Sequence, residues 1–290
     1  GEYHETVTIS GKSIRLVSRF HPEFTIINGD SSHTPLIIDG ADSSYIANLT
    51  IAGGLADFGA GVFIANGSAA QLKNLIVTGN LASGAIETNH GGGILIQNAQ
   101  PVLTNILIYD NALDWGYGGG IAVTSGADAV MNHLTVTQNR GTYGAGIHVE
   151  DGSSCTITNS VIWNNFDDAV DGEPDISYSI IEGGFTGNEN MDQDPLFVNP
   201  EEADFTLQPD SPAQGAGSDG ENIGAALSGI TPIINRTRWY VDESGNNATA
   251  TGSADHPFAS IQAAMDYAGR FDTVYVNPGT YTENLTFTGK

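Results

Sequence analysis

Arg140 is the basic residue around which acid–base chemistry could be built. It follows Asn139, with Asp110 and Asp114 30 and 26 residues upstream. A guanidinium held among carboxylates is one means of removing a proton beside a carboxyl group, provided a basic form is available. The competing role is a surface Arg paired with acids. Asp167-Asp168 is the only adjacent Asp pair, and Asp171, Glu173 and Asp175 follow it, then Glu189, Asp192 and Asp194. Clustered Asp residues serve inverting glycoside hydrolysis, but no Lys or Arg stands near this group. Loop carboxylates also ligate Ca2+. Asp167, Asp168, Asp171, Glu173, Asp175, Asp192 and Asp194 are therefore the calcium candidates, although none fits an EF-hand spacing. Trp115, Tyr117 and Tyr143 could offer ring faces to a sugar, or could stack on one another as packing. The seven His residues are scattered, with no zinc-type spacing, and the single Cys155 excludes an internal disulfide framework.

Charge limits the partners. The 290 residues carry 34 acidic and 9 basic side chains, a net charge of -25. Between Arg140 and Arg236 there are 17 acids and no Lys or Arg. Such a surface repels nucleic acid, whose binding needs basic contacts to phosphate. It also repels polyanionic glycans unless a divalent cation intervenes. No apolar run is long enough to span a membrane. The chain starts at Gly1 without Met or a leader, which reads as a processed product or a fragment.

The elements that would position these residues are repeats. A short apolar strand is entered through a polar residue at Asn48, Asn74, Asn105, His133, Asn159 and Tyr178, with spacings of 26, 31, 28, 26 and 19. A second series opens another strand: Phe58-Gly-Ala-Gly, His90-Gly-Gly-Gly, Tyr117-Gly-Gly-Gly and Tyr143-Gly-Ala-Gly. Two offset motifs of nearly equal period mark one coil of a solenoid. The strands are rich in β-branched residues and too short for helices. Stacking them in parallel register gives a parallel β-helix. Gly supplies positive φ and close backbone approach at the bends. The Asn series, with a second one at Asn80, Asn111, Asn139 and Asn165, suits amides bonding along a ladder.

The repeats decay near residue 165. Pro/Gly-rich segments from Asp192 to Gly217 suit an irregular closing coil, and residues 226–237 read as a linker. From Arg238 the character changes. Trp239-Tyr-Val-Asp is a strand, and a helix is expected over 260–269, with Ser260 as N-cap and Ile261, Ala264, Met265 and Ala268 on one face. The end then repeats the beginning. Residues 1–12 and 279–290 both fit G-x-Y-x-E-x-[V/L]-T-[I/F]-[S/T]-G-K and match at six of twelve positions.

These stretches resemble the pectate-lyase-like right-handed parallel β-helix repeat proteins of secreted bacterial type. The stretch from Tyr240 through His256-Pro-Phe-Ala-Ser-Ile-Gln-Ala-Ala to Pro278-Gly-Thr-Tyr-Thr-Glu is similar to the opening of such domains. Ile14-Arg-Leu-Val-Ser is similar to the coil after it. Asp194-Pro-Leu-Phe and Leu207-Gln-Pro-Asp-Ser-Pro-Ala resemble their close. The opening therefore stands after the close. The resemblance implies an all-β right-handed parallel β-helix with one short capping helix. It also brings the family's lyases and hydrolases into view as an alternative role, with Arg140 as the sole base candidate.

The expected organisation is a body of residues 1–225 without its own opening cap, a linker, and residues 238–290 as the start of a next unit. The expected role is an extracellular or cell-surface structural or adhesive unit. It would associate with copies of itself head-to-tail, as a tandem array or filament. The docking residues are Gly1, Tyr3, Glu5, Trp239, Tyr240, Ile261, Met265, Tyr281 and Glu283. A polysaccharide is the second candidate partner, and Ca2+ the one candidate cofactor.

Overall fold

In a computed structural model, residues 1–18, 20–40, 43–84, 89–227, 238–247, 250–268 and 273–286 are described. They form two compact units. Residues 1–200 and 205–227 make the first; the described residues beyond 237, with 201–204, make the second. Residues 226 and 227 belong to the first unit, and the rest of the expected linker lies outside the described residues.

The first unit is a parallel β-helix. An 11-stranded sheet carries the long strands Tyr45–Ala52, Gln71–Thr78, Val102–Tyr109 and Asp128–Thr137. A seven-stranded sheet runs from Val7–Ser10 through Leu36–Asp39, Val62–Ala65, Ile94–Gln97, Ile121–Thr124 and Ile147–Val149 to Val170–Asp171. A three-stranded sheet of two-residue strands closes each turn at Leu55–Ala56, Leu81–Ala82 and Ala112–Leu113. Leu49, Leu75, Ile106 and Leu134 stand in register, so the spacings of 26, 31 and 28 are each one coil.

The polar residue before each short apolar run has a backbone reason. Asn48, Asn74, Asn105, His133, Asn159 and Tyr178 all have φ between 50° and 59°. Each is a one-residue left-handed corner, which Asn tolerates better than most side chains. The corner re-aims the strand, so residues on both sides of it turn inward. Ile46, Leu49, Ile51, Leu72, Leu75, Val77, Leu103, Ile106 and Ile108 then face Leu36, Ile38, Val62, Ile64, Ile94, Ile96, Ile121 and Val123 in one continuous core. The corner amides also pair: Asn74 Nδ2 donates to Asn48 Oδ1 at 3.0 Å, and Asn105 Nδ2 to Asn74 Oδ1 at 2.7 Å.

The glycine motif divides its labour. Its first Gly, at 59, 91, 118 and 144, takes φ of 56–74°. Its last Gly is a close-approach position. A Cβ on Gly120 would meet Gly146 O at 2.6 Å and Asn139 Nδ2 at 3.1 Å; one on Gly146 would meet Asn165 Nδ2 at 3.0 Å. The Gly column and the inner Asn ladder are thus two sides of one contact.

In the second unit, Arg238–Val241 pairs in parallel with Thr273–Val276. The helix is Ile261–Tyr267, and Ser260 caps it by accepting from the N–H of Ala263. Ala264 is its fully buried residue, with Ile261 and Met265 half-buried.

Candidate functional site

The two copies of the G-x-Y-x-E motif occupy different surroundings. In the second unit, Glu283 lies across the start of the short helix. Its Oε1 accepts from Ile261 N–H at 2.7 Å and its Oε2 from Gln262 N–H at 2.9 Å. These two N–H groups have no partner within the helix, and a carboxylate there also faces the positive end of the helix dipole. The Gln262 side chain extends the contact by accepting from Thr286 N–H at 2.7 Å. Tyr281 donates its hydroxyl to Asn277 O at 3.1 Å. Trp239 is buried near Phe258, and Tyr240 stacks on Tyr275 at 5.3 Å. Asp242 accepts from Ser244 and Asn277, which hold its carboxyl down to about 2. Tyr275 and Val276 remain exposed.

In the first unit the same motif forms edge strands. Glu2–His4 pairs on one side with Ile26–Asn28, and Val7–Ser10 on one side with Leu36–Asp39. Gly1, Tyr3 and Glu5 are exposed. Behind them, Val7, Ile14 and Leu16 pack against the core while only partly buried, and Val17 and Phe20 are exposed. An edge of this kind presents unpaired strand groups beside apolar side chains. Residues 287–290, the last of the repeated motif, lie outside the described residues.

The aromatic candidates divide. Tyr117 lies between His90 and Tyr143, with ring centroids at 5.3 and 5.0 Å and planes 17° and 21° apart. Both of its faces are covered, so it is packing within a coil-to-coil stack and not a platform for a sugar. Tyr143 is partly open at the end of the stack, and Trp115 is 63% exposed. Beside this row, two adjoining cavities of about 260 and 410 Å³ share Phe58. Their linings include Ile37, Phe63 and Leu95 as apolar surface and Asp39, Asp57, Gln97 and Glu150 as polar groups. Thr124, 3% exposed, also lines the smaller one, and its hydroxyl has no hydrogen-bond partner.

Arg140 does not build the expected acid–base centre. Its guanidinium stacks over Phe166 at 4.7 Å. Among the described residues the ion pairs all involve His, so neither Asp110 nor Asp114 pairs with it. Asp114 instead accepts from the Ser83 hydroxyl at 2.6 Å.

The carboxylates named as calcium candidates are dispersed. Asp171 Oδ2 lies 2.7 Å from His148 Nδ1. Asp192 accepts from Gly183 N–H at 3.1 Å, and Asp194 from Leu196 N–H at 2.8 Å. Asp167, Asp168, Glu173 and Asp175 are exposed. Among the described residues no three His, Cys, Asp or Glu side chains gather as a metal site. Several acids serve as acceptors for the adjoining coil instead, as Glu150 does for Ser125 N–H and Glu182 for Asn164 N–H. The His148–Asp171 pair was not singled out in the sequence, although its 23-residue separation is close to one coil.

The family comparison agrees with this architecture. Residues 25–188 match the model described as "Right handed beta helix region", more than half of the chain. The protein belongs to the right-handed β-helix family. A search of curated proteins finds no match.

Proposed function

We propose that this chain is a structural unit of an extracellular or cell-surface β-helix assembly whose units join head-to-tail. The cap-like segment from residue 238 onward seats on the first coil of a following unit. That unit is either the next stretch of the same polypeptide or a separate copy. The observation that carries this reading is the contrast between Glu283 and Glu5. The same Glu of the same motif covers a helix N-terminus in one setting and is exposed at the bend between the edge strands Glu2–His4 and Val7–Ser10 in the other. In the joined state Glu5 takes the helix contact, and strands such as Thr273–Val276 extend the solenoid by β-addition. Contacts of this kind that do not close on themselves grow filaments. The acidic surface suits an exposed, soluble fibre.

The test is Glu5→Ala, read by sedimentation equilibrium of the whole chain. Losing a charge-assisted contact raises the dissociation constant for self-association about tenfold. Unchanged association would overturn the assigned role of Glu5.

The paired cavities around Phe58 favour a second reading, a glycan-binding face. Among the described residues their linings hold carboxylates and amides and no Lys or Arg. This composition suits a neutral glycan and disfavours a polyuronate. Titration with neutral and uronate oligosaccharides, followed by tryptophan fluorescence or calorimetry, tests it; binding of neither class would remove it.

A further inference from the structure

The corner ladder changes character at His133. At the three preceding corners the residue is Asn. At His133 the corner-to-corner row is interrupted, the Asn159 amide donating to Asn132 Oδ1 at 2.9 Å instead, and a distant segment reaches the corners. Residues 213–227 run back along the corners as a strap. Ser218 N–H donates to Asn159 Oδ1 at 2.8 Å, and Gly224 N–H to Asn159 O at 2.8 Å. Ala225 N–H donates to Thr135 Oγ1 at 2.9 Å, and Ala226 N–H to Asn105 Oδ1 at 2.7 Å. The strap thus passes from the Asn159 coil to the Asn105 coil, against the direction of coil growth.

Its seating is close. A Cβ on Gly224, whose φ is 98°, would meet Thr135 Oγ1 at 2.9 Å and Val161 Cγ2 at 3.0 Å. Ile223 and Leu227 are buried anchors. All of the main-chain bonds just described go to neutral acceptors. Among the described residues the one ionisable link is His133 Nε2 to Asp219 Oδ2 at 2.8 Å, between groups 86 residues apart.

We propose that the His133–Asp219 pair is an acid-strengthened latch for this strap. The bond carries two opposite charges when His133 is protonated and Asp219 ionised, and one charge when His133 is neutral. A hydrogen bond between two charged partners is the stronger of these. The strap is therefore held more tightly when His133 carries a proton on both ring nitrogens than when it is neutral. The bond to His133 also holds the Asp219 carboxyl below its usual range, so Asp219 stays ionised at pH 5. Among the described residues, other titratable groups near the pair in sequence or register are few. Glu221 lies on the strap, Tyr178 is the corner after Asn159, and Lys73 is one register position before the corner Asn74, two coils away. The corner neighbours Asn105 and Asn159 are neutral.

The latch bears on the joining of units, because the strap is the stretch of chain that leads toward residue 238. While it is seated, the chain is anchored as far as Leu227. When it releases, the tether to the following segment lengthens, and a longer tether lowers the effective concentration of what it carries. The latch itself does not depend on how units join, and it is measured within one chain.

Amide hydrogen exchange of Gly224, Ala225 and Ala226 in the whole chain, corrected for intrinsic rates, tests it. Protection is expected to be about three- to tenfold greater at pH 5 than at pH 8, the range that strengthening one hydrogen bond by a second charge allows. His133→Asn restores the residue of the other corners and should abolish the difference. Asp219→Asn should do the same, with protection at Asn111 and Asn139 unchanged in both variants as the check on folding. Equal wild-type protection at the two pH values would overturn the proposal, as would a pH difference that survives both substitutions.

Discussion

The side-chain amide of Asn111 donates to Oδ1 of Asn139, one coil further on, at 3.0 Å, and both residues are about 1% exposed or less. The same Oδ1 accepts the backbone N–H of Asn111 at 3.1 Å. Asn139 repeats the arrangement toward Asn165 and also donates to Ile108 O and Thr137 O. Asn139→Ala removes the donors to Ile108 O and Thr137 O and takes the acceptor from the buried Asn111 N–H, while the Asn111 amide keeps Val77 O and Tyr109 O. A buried unsatisfied polar group costs about 1–3 kcal/mol. A loss of about 3 kcal/mol in unfolding free energy is expected, read as a lower urea midpoint with an unchanged slope.

The Gly column that faces this ladder has no room for a methyl group. Gly120 is not held by positive φ, so its requirement is steric, from Gly146 O, Val136 Cγ1 and Asn139 Nδ2. Gly120→Ala should destabilise the first unit by about 3 kcal/mol, as overpacking against backbone does. By contrast, Gly67 has open space around its Cβ direction, and Gly67→Ala meets only the strain of its φ of 78°. That variant should lose about 1 kcal/mol. Equal losses in thermal or urea unfolding would contradict the close-approach account.

Cys155 is buried in the core, and burial pushes its thiol up to about 12, with the nearby Asp128 adding to the shift. A raised pKa stabilises the folded state fully below the unfolded thiol's ordinary value. That contribution is lost as pH rises from about 9 toward 12. A thiol reagent at pH 8 should label the native protein at least a hundredfold more slowly than the urea-unfolded chain. Rapid native labelling would show that the core around Cys155 opens.

Much of this architecture is legible in the residues because the solenoid turns long-range contacts into a short period. Asn48, Asn74 and Asn105 recur because each makes a left-handed corner, and the spacing between them is the coil itself. The inner Asn ladder and the Gly motif were readable for the same reason. The contacts that were not legible lie where the period fails. Glu283 meets the helix across a loop, and the strap meets His133 from the irregular region after residue 165. No repeat predicts either pairing. Ring orientation was also invisible. The spacing aligned Tyr117 with Tyr143 but could not say that Tyr117 spends both faces on His90 and Tyr143. Arg140 looked free to act as a base because sequence does not reveal that its guanidinium rests on Phe166.

Joining of units through the segment beyond residue 237 is read by sedimentation velocity of the whole chain beside a chain ending at Ser228, over about a hundredfold range of concentration. The whole chain is expected to form a concentration-dependent series of larger species, and the shortened chain to sediment as a monomer. A shortened chain that assembles as well as the whole one, or a whole chain that stays monomeric throughout, would contradict it.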